Sequence, residues 1–132
     1  MKAVLAIKFK EDYSDKEKIK KISGVLESVG ISSEIMVKDY EKWGAVRFTP
    51  QELMKKTFEI IDASDMLITE FSEKGVGLGI EAGYAFAKGK PIYVIAKEGS
   101  DISTTLAGIA RVVIFYQNIE EVGEKIEAVL EK

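Results

Sequence analysis

Residues 65–85 read Asp-Met-Leu-Ile-Thr-Glu-Phe-Ser-Glu-Lys-Gly-Val-Gly-Leu-Gly-Ile-Glu-Ala-Gly-Tyr-Ala. Residues 66–69 form a short apolar run suited to a buried strand. Glycines at 75, 77 and 79 predict a turn, and a helix is expected over 80–88, with Glu81 in its first turn and Gly89 stopping it. Strand, glycine turn and helix in this order place Glu81 at the carboxyl edge of a sheet, where open α/β folds bind small molecules.

The same rhythm runs outward in both directions. Residues 2–9, with Ala-Val-Leu-Ala-Ile inside, read as a strand buried on both faces; residues 91–96 and 112–116 are apolar throughout, and residues 31–37 alternate in part, as an edge strand does. Between them lie helical stripes: Ile19, Ile22, Leu26 and Val29, then Leu53, Met54, Thr57, Phe58 and Ile61, and last Val122, Ile126, Val129 and Leu130. Ser14 with Glu17, and Thr49-Pro50 with Glu52, read as capping boxes, while Asn118 and Glu121 cap the last helix. A short helix is expected over 103–108. Strands apolar on both faces and separated by helices mean a parallel sheet covered on both sides. Five of them predict a flavodoxin-like, doubly wound α/β sheet of order 2-1-3-4-5, built as one domain over residues 1–132. Right-handed crossovers then put the loops after Phe9 and Glu70 in one crevice.

Composition narrows the chemistry. The chain of 132 residues is 46% hydrophobic and 31% charged, the profile of a folded globular domain. A net charge of −3 gives no basic face for nucleic acid. The apolar N-terminal run ends at Lys8, too short for a signal peptide or a membrane span, so the cytoplasm is the expected location. There is no histidine and no cysteine, which removes imidazole bases, thiolate nucleophiles and the usual zinc sites. Acid–base and nucleophilic work therefore falls to carboxylates, lysines, tyrosines and hydroxyls, and no metal or cofactor is expected.

Gly77-Leu-Gly79-Ile-Glu-Ala82 formally matches the G-x-G-x-x-A dinucleotide fingerprint. It follows the third strand rather than the first, lacks a ribose-binding acid about 20 residues on, and puts a carboxylate where pyrophosphate needs positive potential. A plain structural reading also stands. Glutamate in a first helical turn is favoured by the helix dipole, and Gly79 with Gly83 would let the helix lie close on the sheet.

Ser64-Asp65, the run from Glu70 through Gly75, Gly77, Gly79 and Glu81 to Ala85, and Gly89-Lys-Pro-Ile92 together resemble the signature of the nucleoside 2-deoxyribosyltransferase superfamily. That group includes 2′-deoxynucleoside 5′-monophosphate N-glycosidases. Its pattern is an Ala/Ser-Asp pair, an apolar strand, an acid, then G-x-G-x-E-x-G-x-A and G-K-P. The resemblance implies cleavage or transfer at the N-glycosidic bond of a nucleoside or nucleotide, with Glu81 as nucleophile. It also implies a homodimer or higher homo-oligomer.

Other positions depart from the family pattern. Thr57 stands where the family carries an active-site aspartate, so Glu70 or Glu73 would have to serve as general acid. The first loop, Ala6-Ile-Lys-Phe-Lys-Glu-Asp-Tyr-Ser14, lacks the small residues of a phosphate loop, leaving Lys8 and Lys10 to meet a phosphate. Gly75 replaces a serine of the monophosphate enzymes. Ser103, beside Thr104 and Thr105, matches a family serine that reaches a neighbouring subunit's phosphate site, and it suits a helix N-cap equally. The loop from Tyr40 to Phe48, with Trp43 and Arg47, is a candidate lid, base-stacking wall or dimer contact. Two other functions remain open: a non-catalytic nucleotide-binding module, which Thr57 favours, and a glycohydrolase of a nicotinamide dinucleotide, as TIR-like domains also use a single glutamate.

Overall fold

The computed structural model describes residues 1–10, 12 and 14–130. Of the first loop, Glu11 and Tyr13 lie outside the described residues. Five parallel strands, β1 (Lys2–Ile7), β2 (Ser32–Glu34), β3 (Met66–Glu70), β4 (Ile92–Lys97) and β5 (Val112–Tyr116), form one sheet in the order β2-β1-β3-β4-β5. The expected flavodoxin-like order is the observed one. Helices α1 (Lys16–Ser28) and α5 (Glu121–Leu130) cover one face, and α2 (Pro50–Asp62), α3 (Val76–Ala87) and α4 (Thr104–Ile109) the other. No helix is long and apolar enough, among the described residues, to cross a membrane.

Side-chain alternation sorts each strand between two cores. On β1, Ala3 and Leu5 join α1 and α5, whereas Val4 and Ala6 join α2 and α3. On β3, Met66 and Ile68 face the first group, and Leu67 faces the second. Ile19, Ile22, Leu26, Ile68 and Ile95 are fully buried, and burying each such side chain stabilises the fold by about 1.5–3 kcal/mol.

Local chemistry moves several boundaries. The Thr49–Glu52 capping box forms in both directions, at 3.1 and 2.9 Å. The Ser14–Glu17 box does not form. Helix α1 starts one residue later from Asp15, whose carboxylate instead accepts the Lys10 N–H at 3.3 Å. Strand β2 is shorter than 31–37 because Asp39 folds back on Ile35. Its carboxylate takes the Ile35 N–H at 2.8 Å, and its own N–H donates to the Ile35 carbonyl at 2.8 Å. Residues Met36–Tyr40 then make a wide π-type turn.

The largest revision concerns the glycines. Helix α3 begins at Val76 with Gly75 as its N-cap, so Gly77 and Gly79 are helical rather than parts of a turn. Leu78, Ala82 and Ala85 are buried against β3 and β4, and that burial outweighs the roughly 1 kcal/mol each helical glycine costs relative to alanine. Glu81 accordingly sits in the second turn, where the dipole explanation for its presence fades. Nor do Gly79 and Gly83 bring the helix onto the sheet. Both face outward, and an added Cβ would meet nothing within 4 Å.

Candidate active site

Glu81 and Gly77 lie one helical turn apart on α3 and line one side of a cavity of about 830 Å³. That size is typical of small-molecule sites, which span about 300–1,000 Å³. The cavity opens beside the carboxyl ends of β1 and β2, under the loop joining β2 to α2. Glu81 is half-buried in its wall. Burial alone pushes its carboxyl up to about 7, and no neighbouring cation among the described residues offsets that burial. A carboxylate poised near neutrality on a cavity wall is suited to act as a nucleophile or to exchange a proton.

Helix α2 and the loop before it also contribute to the lining, with Thr57, Glu41, Arg47 and Phe48 bordering the same cavity. Thr57 is buried and its hydroxyl donates to the Leu53 carbonyl at 2.8 Å, which ties it to its own helix. Glu41 is half-buried, and burial raises its carboxyl above the ordinary range. Sequence reasoning named the aromatic loop but passed over Glu41, one of two acids in a polar stretch that does not mark which of them lines the cavity. The loop's aromatics divide. Phe48 lines the cavity, whereas Trp43 packs toward α1, with Phe9 at 5.8 Å between ring centroids and the Lys16 ammonium 5.0 Å above it. Tyr40 donates to Glu34 at 2.8 Å, and burial, with this bond adding to it, pushes its phenol up to about 12.

The turn that follows Glu41 is strained. Lys42 (φ 49°), Trp43 (φ 58°) and Gly44 (φ 94°) are three successive left-handed residues. For non-glycine residues this conformation costs roughly 1–2 kcal/mol each. It is held by the Glu41 carbonyl, which accepts the Gly44 and Val46 N–H groups, each at 2.9 Å.

The other residues nominated from sequence fall into two further hollows. Gly75, Gly79 and Ser103 border a shallow apolar groove of about 640 Å³ between α3 and α4. There Ser103 is the N-cap of α4, accepting the Leu106 N–H at 3.5 Å and sharing a hydrogen bond with Thr105 at 2.8 Å. Lys8 and Glu70 border a smaller hollow of about 220 Å³ next to α1. Glu70 ends β3 on the α1 side of the sheet and is not brought together with Glu81. It accepts the Ser72 N–H at 2.8 Å, the Ser72 hydroxyl at 2.6 Å and the Tyr116 hydroxyl, and it pairs with Lys18 at 3.2 Å. Glu73 pairs with Lys10 at 2.9 Å, and that lysine holds its carboxyl below the usual range, in its ionised form. Neither acid faces the Glu81 cavity. No three acids are gathered to hold a metal ion among the described residues.

No family model matches the chain. A protein of Thermofilum pendens, which carries the provisional name 2'-deoxynucleoside 5'-phosphate N-hydrolase 1, is 26% identical over 142 aligned positions, covering 98% of this chain and 95% of its own. Among solved structures, a CMP N-glycosidase of Clostridium botulinum superposes with a TM-score of 0.70 at 21% identity, over 97% of this chain and 99% of that one. A 2-deoxyribosyltransferase of Bacillus psychrosaccharolyticus superposes with a TM-score of 0.74 at 17% identity, over 98% and 96%. At these identities the two structures speak for the fold. The chain is thus similar in sequence to a provisionally named deoxynucleotide N-hydrolase, and in fold to an N-glycosidase and a 2-deoxyribosyltransferase.

Proposed function

We propose that the protein is an enzyme that cleaves or transfers the N-glycosidic bond of a nucleoside or nucleotide, with Glu81 as the nucleophile. The observation that carries this reading is Glu81 itself: a half-buried carboxylate with no compensating cation among the described residues, on the wall of a cavity large enough for a nucleoside. Its oxygen attacks the anomeric carbon as the bond to the base breaks, through an oxocarbenium-like transition state. Water or a second base then displaces the resulting glycosyl ester. Gly77, one turn before Glu81, leaves the space beside the carboxylate unfilled for the sugar. The provisional name of the Thermofilum relative supports a deoxynucleotide as substrate.

In the same reading a second copy of the chain packs on the exposed face of α3. Val76, Ile80 and Phe86 are 82%, 48% and 57% exposed there, and Gly79 and Gly83 leave room for close approach. Such a partner would cover the groove that holds Gly75, Gly79 and Ser103. Lys8 and Glu70 have no assigned contact with substrate.

The test is release of free base from a panel of deoxynucleosides, their 5′-monophosphates and NAD, followed by chromatography. Release that disappears in Glu81→Ala is the expected result. Release that persists unchanged in that variant overturns the nucleophile assignment. Nucleotide binding with no turnover on any substrate would favour the non-catalytic module, a reading to which the tethered Thr57 hydroxyl lends weight. Release of nicotinamide alone would favour the dinucleotide glycohydrolase.

A further inference from the structure

We infer that Glu41, on the loop between β2 and α2, is the general acid that protonates the departing base. This inference rests on the reading of Glu81 as nucleophile, and it supplies the acid missing where Thr57 stands.

Among the described residues, three carboxylates line the cavity that holds Glu81: Glu34, Glu41 and Glu81 itself. Glu34 is already committed to the Tyr40 hydroxyl at 2.8 Å and to the Lys2 ammonium at 3.4 Å. Thr57 has no acidic proton at neutral pH, and its hydroxyl is spent on Leu53. Glu70 and Glu73 face a different hollow. Glu41 remains, lining the same cavity as Glu81 from a different element of the fold.

Two further observations fit the role. Burial disfavours the ionised form of Glu41, so it retains a proton at higher pH than a solvated carboxyl does. Arg47 also lines the cavity but is exposed, and it does not reverse that direction. The left-handed turn at Lys42, Trp43 and Gly44 is strain placed directly after this residue, closed by two hydrogen bonds onto its carbonyl. Backbone strain of this kind persists where it fixes a functional position.

The step balances as follows. A Glu81 oxygen forms the bond to the anomeric carbon while the carbon–nitrogen bond breaks, and its electron pair passes to the base, which takes the Glu41 proton. Water then attacks the anomeric carbon, the ester bond to Glu81 breaks, and Glu41 accepts the proton from water. Both carboxyl groups return to their starting forms.

The experiment compares wild-type protein with Glu41→Gln on a normal substrate and on one whose base needs no proton to leave. The activated substrate carries an N7-methylated purine, which leaves as a neutral base, where a purine is cleaved, or 4-nitrophenolate in place of the base where a pyrimidine is. General acids contribute about 100- to 10,000-fold. Glu41→Gln is expected to lose at least about 100-fold on the normal substrate and to keep its rate on the activated one to within about threefold. The activated substrate also shows that the variant is folded. Equal rates of the two proteins on the normal substrate, or equal losses on both substrates, overturn the assignment to Glu41. If Glu81→Ala is inactive on both substrates, such a failure concerns Glu41 alone. If Glu81→Ala keeps its activity, or wild-type protein releases no base at all, the nucleophile reading and this one fall together.

Discussion

Replacing Glu81 with glutamine tests the crowding of this carboxylate apart from any assay of activity. Its carboxyl stands at about 7 in the folded chain against an ordinary 4.5. That difference corresponds to about 3 kcal/mol. Because the cavity admits water, about 1–3 kcal/mol is the working range. The sign follows from proton binding. Between pH 4.5 and about 7 the unfolded chain has released this proton while the folded chain retains it, so native stability falls as pH rises through that window. Below 4.5 the penalty is absent, and above about 7 it is complete. Glutamine has no such window. The stability of Glu81→Gln relative to wild type should therefore rise from pH 4.5 to 7 by about 1–3 kcal/mol and then stay level.

Urea unfolding of both proteins at pH 4.5, 6 and 8 reads this difference, since every other titrating group is common to both and cancels. For a chain of this length the gain at pH 8 is about 4–10 °C in Tm. A difference that does not change with pH would show that Glu81 is solvated or paired, and the reasoning about its role would lose its physical basis. So would a glutamine variant that is less stable at pH 8 than at pH 4.5 relative to wild type.

Two further predictions concern packing. Gly83→Ala has open space and should stabilise the monomer by about 1 kcal/mol while weakening self-association, read by urea unfolding and sedimentation. Gly123→Ala should do the reverse and cost about 1–3 kcal/mol, because its Cβ would lie 3.0 Å from a Val25 methyl and 3.2 Å from the Val25 carbonyl oxygen. Tyr116→Phe removes a donor from the buried Glu70 carboxylate. It should cost about 1–3 kcal/mol in unfolding while base release stays near the wild-type rate, since Glu70 lies on the far side of the sheet from Glu81.

The order of the sheet was legible because its strands are apolar on both faces, which only a covered parallel sheet explains. The same uniformity hid which face each residue meets. Met66, Ile68 and Glu70 share one face of β3 and Leu67 lies on the other, but nothing in Asp-Met-Leu-Ile-Thr-Glu says which face α3 will cover. Glu70 was therefore read as a neighbour of Glu81 when it is a neighbour of Tyr116 and Lys18. The start of α3 was misplaced for a different reason. Three glycines argue locally against a helix, and only the tertiary burial of Leu78, Ala82 and Ala85 reverses that preference. Glu41 escaped notice because its position depends on three left-handed residues, two of them non-glycine, that no propensity anticipates.

Once residues 76–87 are helical, the two-residue spacing of the motif acquires a geometric meaning. At 3.6 residues per turn, neighbours two apart point about 200° away from each other, while neighbours four apart share a face. Gly77 and Glu81 therefore turn toward the large cavity, and Gly75 and Gly79 toward the groove beside Ser103. A turn would have presented all four residues to one ligand, whereas a helix assigns them to two. Gly77, Gly79 and Gly83 are not required by packing within the monomer, since a Cβ at any of them meets nothing within 4 Å. Each still lowers helix stability by about 1 kcal/mol. Under the proposed function, what would fill the space is a sugar beside Glu81 over Gly77, and a second copy of the chain over Gly79 and Gly83. The two proposals are separable on this helix, because an alanine at 77 should slow base release without altering self-association, and an alanine at 83 should weaken self-association first.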